Sequence, residues 1–496
     1  MGEKREGEIT RRSYLKYSAG LVAAAAIGAA AGYGVSESMR PPAIVGPTQT
    51  VTVTQTATAA VTPTAPATTL LAKPKTPLVW MGGSWAIYPE VVDKWKAETG
   101  IDVEWTAMAE SEMLSRMMAT RGYGIDLLHP ESANASPFIE AEPPIVQPIP
   151  VEKIPRWKAG DVAKMWTEPE TTIGMMFGSD NAEYIARTVI KPYTWWKGRE
   201  GEAFALIPRL YNFDSVCYNP EFIDHEVKSW GEMMDRQYKG KVSIQDVFVI
   251  AINEWANYLV RSGQMAKPEV GINDLTPSEL NVVIDFLIKH KKAGQIKALW
   301  SDYGAAVNFH TTREVWISDG WQPVEFSVRM ANVPAYYAEC DEGYRSWFSG
   351  EMPSVGTDKL EWCFRWIDFN LSGWYAGFIA GVGYSLPNYL SQEFKTEMGP
   401  EYYGWVYEGK RTYKPVSEII PNKDEWIARA LFLPVKKNES MVAEYAWSKT
   451  PGTESADGTA RDGGSQDRHI NRIGTWQRWP KYASEYAAGW DRFKAA

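Results

Sequence analysis

Trp85 and Tyr88 stand in "GGSWAIYPEVVDKWKAETGIDVEW" (82–105), in a glycine-rich turn just ahead of an amphipathic helix, where two large rings are awkward to bury. Rings left open in such a turn stack on the flat or methylene faces of a ligand and attract cations through their π clouds, worth about 0.5–2 kcal/mol each. The chain carries 23 Trp, 25 Tyr and 16 Phe in 496 residues, more aromatic surface than a core of this size needs, so part of it should face a ligand. Covalent chemistry has no comparable foothold. The sequence holds no GxSxG, P-loop, dinucleotide fingerprint or HExxH, so neither an enzyme nor a cofactor is expected. His129, His225, His290, His310 and His469 fall at no metal-ligand spacing. Tyr336 and Tyr337 are adjacent, so on a strand at most one of them would reach a ferric site. Asp457, Asp462 and Asp467 in "ESADGTARDGGSQDR" miss the calcium-loop spacing, and residues 451–468 read as a long surface loop.

The length suggests two or three folding units. A net charge of -9 excludes a general nucleic-acid binder, which would concentrate Lys and Arg against phosphates. Cys217, Cys340 and Cys363 form no CxxC pair; Cys340 and Cys363 could join in an oxidising compartment, but free buried thiols are expected. Arg11 and Arg12 precede an uncharged Ala/Gly-rich run, so residues 1–36 read as a twin-arginine-type export signal or retained anchor. Residues 37–76 follow as a linker. Eleven Thr and six Pro between 41 and 76 cannot build a core, so this stretch is expected to be a disordered stalk holding the folded part away from a membrane or wall.

The elements that must position the rings begin at Pro77. "PLVWMGG" is a short apolar strand, Pro89 to Thr99 a helix closed by Gly100, and "IDVEW" a strand with Ile101, Val103 and Trp105 on one face. "ESEMLSRMMATR" is a second helix and "YGIDLLHP" a third strand ending at Pro130. This alternation implies a parallel sheet with right-handed crossovers, whose ligands sit beyond the carboxyl ends of the strands. Trp85, Tyr88 and Ser132 all lie just past such ends. A second α/β unit follows: "SWGEMMDRQYKGKVSIQD" as helix, turn and strand, helices in "FVIAINEWANYLVRSG" and "LTPSELNVVIDFLIKHKKAG", and strands in "IKALWSD", "EVWISDGW" and "ANVPAYYAE".

In their order, "GGSWAIYPEVVDKWKAETGIDVEW", "SWGEMMDRQYKGKVSIQD", "TTREVWISDGWQPV" and "WCFRWIDFNL...GVGYSLPN" resemble the periplasmic spermidine/putrescine-binding proteins of ABC importers, a branch of the extracellular solute-binding superfamily. The resemblance implies an α/β, two-lobe periplasmic-binding-protein-like fold with a ligand cleft between lobes, behind the signal and stalk. It implies lobe 1 from 77–207 plus about 348–390, and lobe 2 from about 208–347 plus 391–496. Trp85, Tyr88, Ser132, Asp246, Trp321, Trp347 and Tyr384 match the family's ligand contacts. All but Ser132 have a plainer alternative: Trp85 and Tyr88 as packing at a helix entrance, Trp321 and Trp347 as core, Tyr384 as hinge, Asp246 as a helix cap. The family's terminal-amine carboxylate, two residues past the second tryptophan, is Ser349 here, and the companion of Asp246 is replaced by "FVIA". An unpaired desolvated ammonium costs several kcal/mol, so a polyamine would need Asp319, Glu325 or Asp180 instead, while a quaternary ammonium or sugar-like solute becomes more credible. The implied protein is exported to a periplasm or cell surface, monomeric, and partnered by a small solute and a membrane permease; sugar, ferric ion or an exported enzyme are the alternatives.

Overall fold

A computed structural model describes residues 71–158, 160–169, 191–199, 201–331, 333–411 and 461–496; the signal segment, most of the stalk, Asp180 and Asp457 fall outside them. Pro77–Ala496 forms one compact unit. It opens with β1 (Leu78–Gly82), the helix Pro89–Thr99, β2 (Val103–Ala107), the helix Glu110–Thr120 and β3 (Leu127–His129). Both β2 and β3 run parallel to the central β1, in the registers Leu78↔Val103 and Trp80↔Leu127. Pro89 suits the first helical position because that N–H has no helical partner, and Gly100, at φ 71°, closes the helix by donating its N–H to Lys96 O. Val91 and Trp95 form its buried face, with Trp95 set edge-on to Trp366 at 5.3 Å. Trp105 is 40% exposed because β2 is the sheet edge, with no strand beyond it to cover that ring.

Two further strands are short: β4 (Ile149–Pro150) pairs only with β5 (Ala203–Phe204). The longest strands are β6 (Ile207–Tyr218) and β11 (Tyr344–Pro353), and every residue of both is buried. Between them come β7 (Val242–Gln245), the helix Phe248–Arg261, the helix Pro277–Lys292, β8 (Ile296–Trp300), β9 (Ile317–Gly320) and β10 (Tyr336–Tyr337). Here β7 lies parallel to both β8 and β9. Thr276 and Glu279 close a reciprocal capping box on the second helix, satisfying donors its first turn leaves open.

The stretch expected as one helix at 230–238 is two 3-10 turns, Trp230–Met234 and Arg236–Tyr238. Asp235 divides them: its side chain takes the Gln237 N–H, an alternative to continuing the helix. "ANVPAYYAE" shrinks to the two residues of β10, which pair antiparallel with the C-terminal end of β6.

Near the C-terminus β12 (Ile473–Trp476) adds to β11, and the helix Ala483–Ala495 brings Tyr486, Trp490 and Phe493 into the core beside Leu280, Ile284 and Leu287. The sheet order is β2-β1-β3-β11-β6-β9-β7-β8. Its middle is an antiparallel ribbon of β11 and β6, flanked by β3 on one side and β9 on the other. All three cysteines are buried, and none is in a disulfide.

Candidate functional site

Register decides where the cleft lies. β3 ends at His129, beside Glu351 and Ser349 of the ribbon, because Met352 pairs with Leu128. From the other side β9 ends at Gly320 opposite Ser215. Both sets of carboxyl ends therefore converge on residues 210–215 and 345–349, the ribbon's centre. Alternation along paired strands puts Asn212, Asp214, Arg345, Trp347 and Ser349 on a common face there, in the pairs Arg345↔Asp214, Trp347↔Asn212 and Ser349↔Leu210.

Three rings meet over that face. Trp85 lies edge-on to Trp347 with centroids 5.3 Å apart and 6.3 Å from Tyr384, and Trp347 lies 5.9 Å from Tyr384. Tyr88 holds the turn by donating its hydroxyl to Trp85 O at 2.9 Å, with its ring edge-on to Phe378 at 5.3 Å. Trp321 belongs to a second group, edge-on to Trp300 at 5.3 Å and nearly parallel to Tyr303 at 6.5 Å. The groups are near one another: burial first, and then the Tyr303 phenol, pushes Tyr88 above the ordinary phenol range. Tyr384 is raised by burial and by the same two phenols.

Ser132 heads the helix Ser132–Glu140, wholly buried, and its hydroxyl has no hydrogen-bond partner. Asp246 is not gathered with these residues. Its carboxylate accepts the Trp490 indole N–H at 2.6 Å and lies 3.6 Å from Lys494 Nζ, so it ties β7 to the C-terminal helix. Asp319 faces inward but accepts from Gln245 N at 2.9 Å and Trp300 Nε1 at 2.9 Å. Glu325 is buried against Arg329.

Ser349 is tied into a buried chain. Its Oγ lies 2.9 Å from His129 Nε2, His129 Nδ1 lies 3.3 Å from Glu351 Oε1, and Arg209 donates to that same oxygen at 2.5 Å. Burial pushes His129 below the usual imidazole range despite the carboxylate beside it. Burial would raise Glu351, but His129 and Arg209 outweigh it and hold its carboxyl low.

Beside Trp347 lies a second polar cluster that local reading missed. Arg345 donates to Glu254 Oε1 at 2.9 Å and also to Asp214 and to Gln477. Trp347 Nε1 donates to the other Asp214 oxygen at 3.1 Å, and Glu131 interacts with Gln477, Arg345 and Asp214. Burial pushes Asp214 and Glu131 up to about 7, against the pull of Arg345. It raises the adjoining Glu254 and Asp319 as well. The only local signal was charge inside apolar runs, in "IPRLYNFDSVCY" and "FVIAINEWANYLVR".

Tyr337 does not present a metal-ligating oxygen. Its hydroxyl lies 2.7 Å from Gly320 O and 3.0 Å from Phe213 O and accepts Ser215 N–H at 2.7 Å, and burial lifts it well above the phenol range. Among the described residues no three His, Cys, Asp or Glu gather where a metal ion could be held.

Two α/β halves sharing a crossing ribbon, with both sets of strand ends turned to its centre, are the two-lobe periplasmic-binding-protein fold. Solved structures agree. The chain is similar to one described as a spermidine/putrescine ABC transporter from Listeria monocytogenes, at TM-score 0.54 and 15% identity, over 84% of this chain and 99% of that one. It is also similar to the TpPotD lipoprotein of Treponema pallidum, at TM-score 0.50 and 13% identity, over 84% and 98% of the two chains. No family model and no curated protein matches the sequence.

Proposed function

We propose that this chain is the solute-binding component of an ABC importer, exported by its N-terminal segment, acting as a monomer at the cell surface or in a periplasm. It captures a small solute and presents it to a membrane permease, without catalysis. The observation that carries this reading is the convergence of Trp85, Trp347 and Tyr384 where the two sets of strand ends meet, with the Tyr303 phenol near enough to act on Tyr88 and Tyr384. Residues 77–207 with about 348–390 would move against 208–347 with 391–496. A ligand that touches both halves stabilises the shut state, and the permease reads that state. The similarity to the Listeria chain supports the transport reading.

The test is a thermal-shift screen of the full chain against polyamines, choline, betaine, sugars, amino acids and ferric ion. A solute at a hundred times its dissociation constant should add about 2.7 kcal/mol of stability. Trp347→Ala should weaken that solute at least about tenfold, since it removes a stacking face and a partner of Asp214. A chain that no solute stabilises would end the proposal.

A further inference from the structure

We infer that a small inorganic anion of chloride's size binds behind the aromatic cleft, held by Arg461, Gln322, Tyr407 and Tyr211. The site goes beyond solute capture and is separate from whatever the cleft takes. Arg461 sets its charge. Among the described residues the buried arginines are Arg209, Arg345 and Arg461. Arg209 meets Glu351, and Arg345 meets Asp214 and Glu254. Arg461 bonds only neutral oxygens: Val406 O, at the end of the helix Pro400–Val406, at 2.9 Å, Gln466 Oε1 at 3.0 Å and Gln322 Oε1 at 2.8 Å. Glu325 acts on it without pairing with it, being bound to Arg329. Burial therefore outweighs the surroundings and lowers Arg461, whereas carboxylates and a tyrosine raise Arg209, and carboxylates raise Arg345. A buried charge in that state calls for an ion of opposite sign.

Hydrogen bonding is the second and independent observation. A guanidinium only donates, so the Gln322 amide must turn its oxygen to Arg461, and its buried Nε2 has no partner. Gln466 is turned the same way. Its Oε1 accepts from Arg461 and Ser385, so its Nε2 donates to the Tyr211 hydroxyl at 2.6 Å, and the Tyr211 proton meets no acceptor. The Tyr407 hydroxyl, one residue past Val406, is buried and unpartnered. Arg461 and Tyr407 lie near enough to act on each other, and both act on Tyr211. Every unspent hydrogen here needs an acceptor, and the guanidinium needs negative charge. A halide supplies both, a water molecule only the first.

Gln322 follows Trp321 and Ser385 follows Tyr384, which places the site directly behind the cleft's rings. Burial of all four holding side chains favours a compact ion over the carboxylate of a solute held in the cleft. Gln322 opens the helix Gln322–Met330 after β9, and Tyr211 lies on β6, so the anion ties these elements to Arg461 and stabilises the folded chain by mass action.

Melting curves of the full chain in sodium chloride and in sodium gluconate, matched in ionic strength, test this. Chloride should raise the melting temperature along a saturating curve, bromide should do the same, and the bulky gluconate should not. Tyr407→Phe removes a hydroxyl that bonds to no protein group, so it should leave the midpoint in gluconate unchanged and raise the chloride concentration for half-saturation at least about threefold. Gln322→Glu sets a fixed carboxylate on Arg461, so it should raise the midpoint in gluconate and abolish the chloride effect. Identical wild-type curves in the two salts, the result a bridging water gives, overturn the inference, as does a chloride effect that both substitutions leave untouched. Stabilisation by a carboxylate-bearing solute that Tyr407→Phe weakens, with none by either halide, also overturns it and assigns the anion to the cleft's ligand.

Discussion

Arg209 and Arg345 show how single residues hold this molecule's centre. β6 carries Arg209 then Asp214, and β11 carries Arg345 then Glu351, so antiparallel pairing sets each arginine against the other strand's acid. Both guanidinium groups are about 1% exposed. Removing one partner of such a pair strands the other charge in a dry interior, so Arg209→Met should cost about 3–5 kcal/mol in urea unfolding. The half-exposed pair Lys153–Glu361, at 2.7 Å, is the contrast: Lys153→Met should cost less than about 1 kcal/mol in the same measurement. At this scale the aromatic half of the candidate site was legible, because Trp85 follows the end of β1 and Trp347 and Tyr384 lie in recognisable motifs. The buried charged cluster beside Trp347 was not. Asp214 and Glu254 differ from ordinary buried-strand and helix positions only by what they meet across the fold.

The element that organises the cleft is the β6–β11 ribbon. Its register slips between Ser349 and Gly350, where Ser349 pairs with Leu210 but Gly350 with Pro208. Arg209 is the extra residue, and a bulge of this kind re-aims its side chain, here toward Glu351. Gly350 is required at the slip, since a Cβ there would lie 2.0 Å from Ile207 O. Gly350→Ala should therefore destabilise by about 1–3 kcal/mol and disturb the Arg209–Glu351 pair; an unchanged urea midpoint would show that the ribbon can shift to admit a methyl group. Helix ends and strand order in the first α/β unit were readable because hydrophobic period, Pro and Gly signals act within a few residues. The slip was not, because it depends on two strands whose paired residues lie more than a hundred positions apart, as with Arg345 and Asp214, which are separated by 131.

The molecule as a whole is stitched across its middle. β11 pairs with β3 and β6, β6 with β9, and the segment 461–476 touches both sides: Gln466 donates to the Tyr211 hydroxyl at 2.6 Å while Asp462 holds Arg329 at 2.9 Å. Shared strands couple the stability of the two halves, so calorimetry should show one transition with van't Hoff and calorimetric enthalpies in agreement. Two resolved transitions would mean the halves unfold independently.

Local order along the chain was enough to specify an α/β architecture with aromatic residues waiting at strand ends, since side-chain period and the handedness of crossovers act over tens of residues. Which carboxylates would gather at the ribbon was decided only by assembly. Asp246, at a strand end where an acid was expected to serve, is drawn to Trp490 by a helix 244 positions later, and Glu254 reaches the ribbon only because Arg345, 91 positions away, lies beneath it. Charge in a protein interior answers to its neighbours in space, and those neighbours are fixed by long-range register rather than by adjacent residues.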